Sequence, residues 1–138
     1  MAFLLDTNVV SEMRKSAPHP RVAAWFRKHA DDDAYLSVLV VGEIRRGIER
    51  LRPRDAGRAI ALDAWLDQVV ETYRDRVLPV SRAAAEEWGR LLSAPEPPPT
   101  VDAMMAATAR VHRLTLVTRN VKDFAGTGVA VINPFAPE

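Results

Sequence analysis

Short, largely apolar runs alternate along this chain with longer segments whose apolar residues recur every three or four positions. The first pattern predicts strands buried on both faces, and the second predicts amphipathic helices. Strands are expected at Ala2–Leu5, Tyr35–Val38, Val77–Val80, Leu114–Val117 and Val129–Ile132. A short helix over Thr7–Arg14 ends at Ser16-Ala17-Pro18, and His19–Ala30 places Val22, Trp25, Phe26 and His29 on one face. Asp31-Asp32-Asp33 is a polar break. A helix from Leu39 to about Leu51 carries Glu43 in its early turns. After Pro53 and Asp55 another begins, with Ala59, Leu62, Leu66, Val69, Val70 and Tyr73 at helical spacing. Ser81 is expected to cap a helix to about Leu92, with Ala84, Trp88, Leu91 and Leu92 inward and a Glu86–Arg90 pair outward. Residues 94–99 hold four prolines and form a stiff loop, after which Thr100 is the expected N-cap of Val101–His112.

Strands separated by helices predict an α/β fold, a three-layer sandwich around a central parallel sheet of about five strands. A chain of 138 residues makes one domain, 1–138. Apolar residues form 48% and charged residues 27%, the balance of a globular protein. No apolar stretch reaches the roughly 20 residues of a bilayer span, and Asp6 comes too early for a secretory signal. With no Cys there are no disulfides, thiolate sites or Cys nucleophile, which is compatible with a cytoplasmic location.

The working cleft of such a sheet lies outside the carboxyl ends of its strands. Three acids fall there: Asp6 after the first strand, Glu43 after the second, and Asp102 at the start of a small-residue helix. Taken singly, each has a plainer explanation. Asp6 can cap a helix, and Glu43 and Asp102 suit the positive end of a helix dipole. Arg46 also shares a face with Glu43, and Arg45 adjoins it. Capping explains each acid but not the scarcity of cations around all three. If they converge, hard oxygen ligands without His or Cys favour Mg²⁺, with Mn²⁺ as the alternative, and metal-assisted phosphodiester hydrolysis is the natural reaction. Thr118, Asn120 and Asp123 follow the fourth strand as supporting candidates. Thr118 would orient a water, Asn120 would accept from one or form a turn, and Asp123 would add a carboxylate or start a short helix.

Other chemistry finds little footing. His19, His29 and His112 lack ligand spacing, and His29 and His112 read as core-edge residues; Gly-rich phosphate loops and a serine elbow are absent. Trp25 and Trp88 fall on core faces, while Tyr35 and Trp65 suit either core or an interface. Arg outnumbers Lys sixteen to three, with Arg45, Arg46, Arg50, Arg52, Arg54 and Arg58 crowded together and offset only by Glu49 and Asp55. That segment is either a solvated basic face or a contact for a partner or nucleic acid.

Four ordered motifs resemble the PIN-domain family, and within it the VapC-type toxins and their FitB-like branch. They are Leu5-Asp6-Thr7-Asn8; Leu36-Ser37 with Glu43-Ile44 and Gly47; Asp102 with Ala106-Ala107-Thr108-Ala109; and Thr118-Arg119-Asn120 with Asp123-Phe124. The closing Asn133-Pro134-Phe135 also fits. The resemblance implies a Mg²⁺- or Mn²⁺-dependent endoribonuclease with Asp6, Glu43 and Asp102 as metal-binding catalytic acids and Thr7 beside them. It implies a homodimer silenced by a cognate VapB-type antitoxin, RNA as substrate, and DNA contact only through the antitoxin. Many members have an acid at the position of Asn120 and another just before Asp102, where this chain has prolines and Thr100. Fewer acids imply one firm Mg²⁺ and a second arriving with substrate. A catalytically impaired PIN-fold module binding RNA or antitoxin is the alternative. A receiver or haloacid-dehalogenase-like phosphatase fits poorly, because Ser81 follows Val80 and Asn8 stands two residues past Asp6.

Overall fold

The computed structural model describes residues 1–137. Five parallel strands form one sheet: β1 (Ala2–Leu5), β2 (Asp33–Ser37), β3 (Val77–Leu78), β4 (Thr115–Val117) and β5 (Val131–Ile132), in the order β3-β2-β1-β4-β5. The helices are α1 (Thr7–Glu12), α2 (Pro20–Lys28), α3 (Val38–Leu51), α4 (Ala56–Tyr73), α5 (Arg82–Leu92) and α6 (Thr100–His112), with 3-10 turns at Arg74–Arg76 and Val121–Phe124. They flank the sheet as an α/β sandwich. No helix among the described residues is long and apolar enough to cross a membrane.

The strands run through the core on their apolar side chains. Phe3, Leu4, Leu5, Leu36, Leu116 and Val117 are fully buried, and at roughly 25 cal/mol per Å² such side chains dominate the driving force. Small residues let α6 close in behind them, with Ala103, Ala106, Ala107 and Ala109 fully buried beside Met105.

The element edges differ from the sequence expectations for identifiable reasons. Strand β2 begins at Asp33, inside the expected polar break, because Asp33 pairs with Ala2 through its backbone while its side chain stays in water. It ends at Ser37, whose hydroxyl accepts from the Leu39 N–H at 3.1 Å and caps α3, so Val38 is helical. Strand β3 stops at Leu78, before Pro79, which has no N–H to give. Helix α1 is two residues shorter than expected, and β5 starts at Val131. Helix α2 starts at Pro20, where His19 caps it by accepting from the Arg21 N–H at 3.2 Å.

Helix α6 has Pro99, not Thr100, at its N-cap and no side-chain cap at all. Its first turn therefore keeps bare N–H groups near Asp102. On α5 the outward pairs are Arg90–Glu87 at 2.9 Å and Arg82–Glu86 at 3.9 Å, not Glu86–Arg90. Arg110 of α6 also reaches Glu87 at 3.3 Å, which draws that carboxylate into the α5–α6 seam. Val70 faces solvent, and Leu92 is only half-buried. Of the histidines, His29 bonds Asp32 at 2.7 Å and packs its ring on Phe3 and Trp25, whereas His112 is exposed.

Candidate metal centre

The sheet order reverses direction between β1 and β4, since β2 and β3 lie on one side of β1 and β4 and β5 on the other. That reversal leaves a crevice at the carboxyl ends of the two strands. Asp6 and Thr118, the residues just past those ends, sit in it, aligned by the Asp6 N–H donating to the Val117 carbonyl at 2.9 Å. The Asp6 carboxylate is buried and held from three directions. Its Oδ1 accepts from the Thr7 N–H at 2.8 Å, and its Oδ2 accepts from the Thr118 hydroxyl at 2.7 Å and the Asn8 amide at 3.4 Å. Asp6 therefore does cap α1, and the same bonds fix its orientation in the cleft.

Glu43 comes to the same place from α3. The Thr7 hydroxyl donates to its Oε1 at 3.1 Å, so one residue of α1 touches both Asp6 and Glu43. No arginine pairs with it. Arg45 turns away to Asp63 at 2.6 Å and Glu49 at 3.0 Å, and Arg46 exerts only a weak pull from a distance. Although Glu43 as a whole is exposed, its carboxyl is pushed above the ordinary range. Partial burial is the main cause, the charge of Asp6 adds to it, and the Thr7 bond opposes it.

Asp102 completes the group from the first turn of α6. It is half-buried and, among the described residues, makes no hydrogen bond or ion pair. Its carboxyl is pushed up to about 6, by burial first and then by repulsion from Asp123, Asp6 and Glu43 in that order. Four acids from four segments thus share one field with no cation among them. As they stand they do not close a cage: among the described residues no three such side chains are gathered tightly enough to hold a metal ion.

The supporting residues divide. Asp123 lies in the 3-10 turn and is the nearest electrostatic neighbour of Asp102. Thr118 donates its hydroxyl proton to Asp6 at 2.7 Å. Asn120 acts as a turn residue: its N–H donates to the Thr118 oxygen at 3.0 Å, its carbonyl accepts from the Asp123 N–H at 3.1 Å, and its side chain is exposed. Asn8 was not singled out from sequence. Its amide group bridges Asp6 and Thr118, and its oxygen accepts from the Arg119 N–H at 3.2 Å, tying α1 to the end of β4. The available signal was an Asn two residues past a strand-end acid, where a short amide can reach back to the carboxylate.

The donor set suits a hard divalent cation. A carboxylate offers about four acceptor positions. Asp6 uses three of them, Glu43 one and Asp102 none among the described residues. Every carboxylate keeps an oxygen lone pair for a ligand, and there is no His or Cys donor to favour Zn²⁺.

Residues 3–128 match the PIN domain family model, and the chain belongs to the PIN-domain family. It is 34% identical to toxin FitB of Neisseria gonorrhoeae over 138 residues, covering 96% of this chain and 98% of that protein. It is 32% identical to VapC ribonuclease Y4jK of Sinorhizobium fredii over 139 residues, with 98% and 99% covered. Among solved structures, FitAB bound to an IR36 DNA fragment contains a chain with a TM-score of 0.86 and 31% identity, covering 100% of this chain and 98% of that one.

Proposed function

We propose that this chain is the toxin of a toxin–antitoxin pair: a metal-dependent endoribonuclease that hydrolyses RNA phosphodiester bonds and is neutralised by a cognate antitoxin. One observation carries the reading. Asp6, Glu43, Asp102 and Asp123 face one crevice with no ion pair to any of them among the described residues, and burial, then like charge, raises the Glu43 and Asp102 carboxyls. Such a cluster destabilises the empty fold and is useful only where a cation or a proton resides. The similarity to a protein named as a ribonuclease and to another named as a toxin supplies the reaction and the biological setting.

Asp6, Glu43 and Asp102 are the residues that would hold the ion, with Asp123 beside Asp102; oxygen donors alone favour Mg²⁺, then Mn²⁺. When bound, such a cation polarises the phosphodiester and lowers the pKa of water. The chain's own contribution is positional. Thr7, Asn8 and Thr118 hold Asp6 in one orientation, and Thr7 sets Glu43 against it. The Asp102 side chain, free of hydrogen bonds among the described residues, keeps both carboxylate oxygens open to a ligand. The reading includes a cytoplasmic homodimer whose contact with DNA runs through the antitoxin.

The test is Mg²⁺-dependent cleavage of single-stranded RNA by the parent chain and by Asp6→Asn and Asp102→Asn. Several kcal/mol of charge stabilisation are at stake, so each variant should lose about 10³-fold or more in rate, with the circular dichroism spectrum unchanged. Parent-like cleavage by either variant overturns the assignment, and no cleavage by the parent overturns the reading.

A further inference from the structure

A groove of about 410 Å³ opens directly off the acid cluster. It begins at Thr7 and Glu43 and continues between α1, α3 and α4 over an apolar floor that includes Ile44, Leu62 and Trp65. Arg14, Arg54 and Arg58 stand along its sides. Among the described residues, none of these three guanidiniums lies within ion-pair distance of a carboxylate. Their neighbours Arg45 and Arg52, by contrast, are both engaged by Glu49 and Asp63. The groove thus keeps three cations open around an apolar floor with an indole in it, next to a cluster that repels anions.

We propose that this groove seats a nucleotide of the RNA strand adjacent to the scissile phosphate, with its base against Trp65 and its flanking phosphates on Arg54 and Arg58. The inference rests on the nuclease reading and adds where the substrate lies. A strand held at Asp6 and Glu43 continues over a surface that touches both the cluster and bulk solvent, and the groove is that surface. Its chemistry matches a nucleotide part by part. Planar guanidinium forks take phosphate oxygens, and an aromatic face takes a base of any identity. The cleft on the other side of the cluster, about 430 Å³ beside Arg119, Asn120, Lys122, Asp123 and Asn133, has no aromatic lining, so a base gains no stacking there. Arg14, at the end nearest α1, adds a third charge to the same path.

The decisive variants are Arg54→Gln combined with Arg58→Gln, both exposed, and separately Trp65→Leu, which keeps apolar volume but removes the ring. In steady-state cleavage of a short oligoribonucleotide, the double variant should raise KM about 10-fold and leave kcat within about twofold, the mark of binding lost equally from ground and transition states. The slope of log Kd against log salt should fall by about 0.7 for each phosphate contact removed. Trp65→Leu should raise KM at least about fivefold, through lost stacking, without moving the salt slope. Trimming the oligonucleotide from one side of the cleaved bond should erase the difference between variant and parent, and trimming from the other side should preserve it. Unchanged KM and salt slope in the double variant, with cleavage intact, overturn the proposal and leave the groove to a protein segment. Absence of cleavage by the parent chain removes the premise and the proposal together.

Discussion

Helix α3 carries two charge arrangements within about two turns of each other, and they follow opposite rules. Towards its end, Arg45 and Arg52 grip Glu49 and reach across to Asp63 of α4, with contacts of 2.6 to 3.0 Å. Each of these four charges has an opposite neighbour, and the two arginines hold Glu49 down to about 2. Near its start, Glu43 shares the crevice with Asp6 and Asp102 with no cation between them, and the Glu43 and Asp102 carboxyls are pushed up, by burial first and then by like charge. One helix therefore fastens itself to α4 with pairs and withholds pairs from the crevice. Arginines are plentiful nearby, so the gap in pairing is local. Charge that serves the fold is neutralised by the fold, and charge left over is available to a ligand.

The sharpest way to break that contrast is Thr118→Val. It removes the 2.7 Å donor to Asp6 from a buried carboxylate while keeping the side-chain shape. A hydrogen bond to a charged group contributes roughly 1.5–3 kcal/mol, and the support behind a metal-binding residue typically carries 10–100-fold in activity. Both denaturant stability and Mg²⁺-dependent cleavage should fall by about these amounts; a silent Thr118→Val would mean that Asp6 is held by α1 alone.

Asp102→Asn should act in the other direction on the empty protein. The folded Asp102 carboxyl titrates near 6, above the ordinary value of about 4. The stability it contributes is therefore fully present below about pH 4 and lost as pH rises through about 6. Replacing it with the amide should raise the melting temperature at pH 7 without divalent ions by about 2–5 °C, allowing for screening at a partly exposed site. The gain should vanish at pH 4. Adding millimolar Mg²⁺ should stabilise the parent and not the variant. A variant no more stable than the parent at neutral pH would show that the acids do not strain one another.

The smallest effect belongs to the paired end. Asp63→Ala leaves Arg45 and Arg52 with Glu49 alone at the surface, where ion pairs contribute little, and should lower the melting temperature by about 1–3 °C, less in 1 M salt. Cleavage should stay unchanged. A large loss of activity from Asp63→Ala would mean that the network positions Glu43.

Much of this was legible from residue order because the sheet is buried on both faces. The wholly apolar run Ala2–Leu5 and the largely apolar run 114–117 suit buried strands, and the polar residues that follow them lie at strand ends. Asp33 was missed as a strand residue because backbone pairing with Ala2 ignores the polarity of a side chain at the sheet's rim. The partner of Arg90 was missed because Glu86 and Glu87 both lie within its reach, and the choice is made by Arg110 from another helix. Thr118 and Asn8 illustrate the same limit inside the crevice. Their residue types announce hydrogen bonding, but the partner is fixed by which strands are neighbours, and β1 meets β4 only through tertiary structure.

The bond between the Thr118 hydroxyl and Asp6 joins groups 112 positions apart. As the polypeptide emerges from the ribosome, the first acid is made early, but the donor that orients it arrives only after all six helices have been synthesised. A chain interrupted anywhere before β4 has no assembled crevice. A fragment ending before β4 would carry Asp6 without the hydroxyl that orients it.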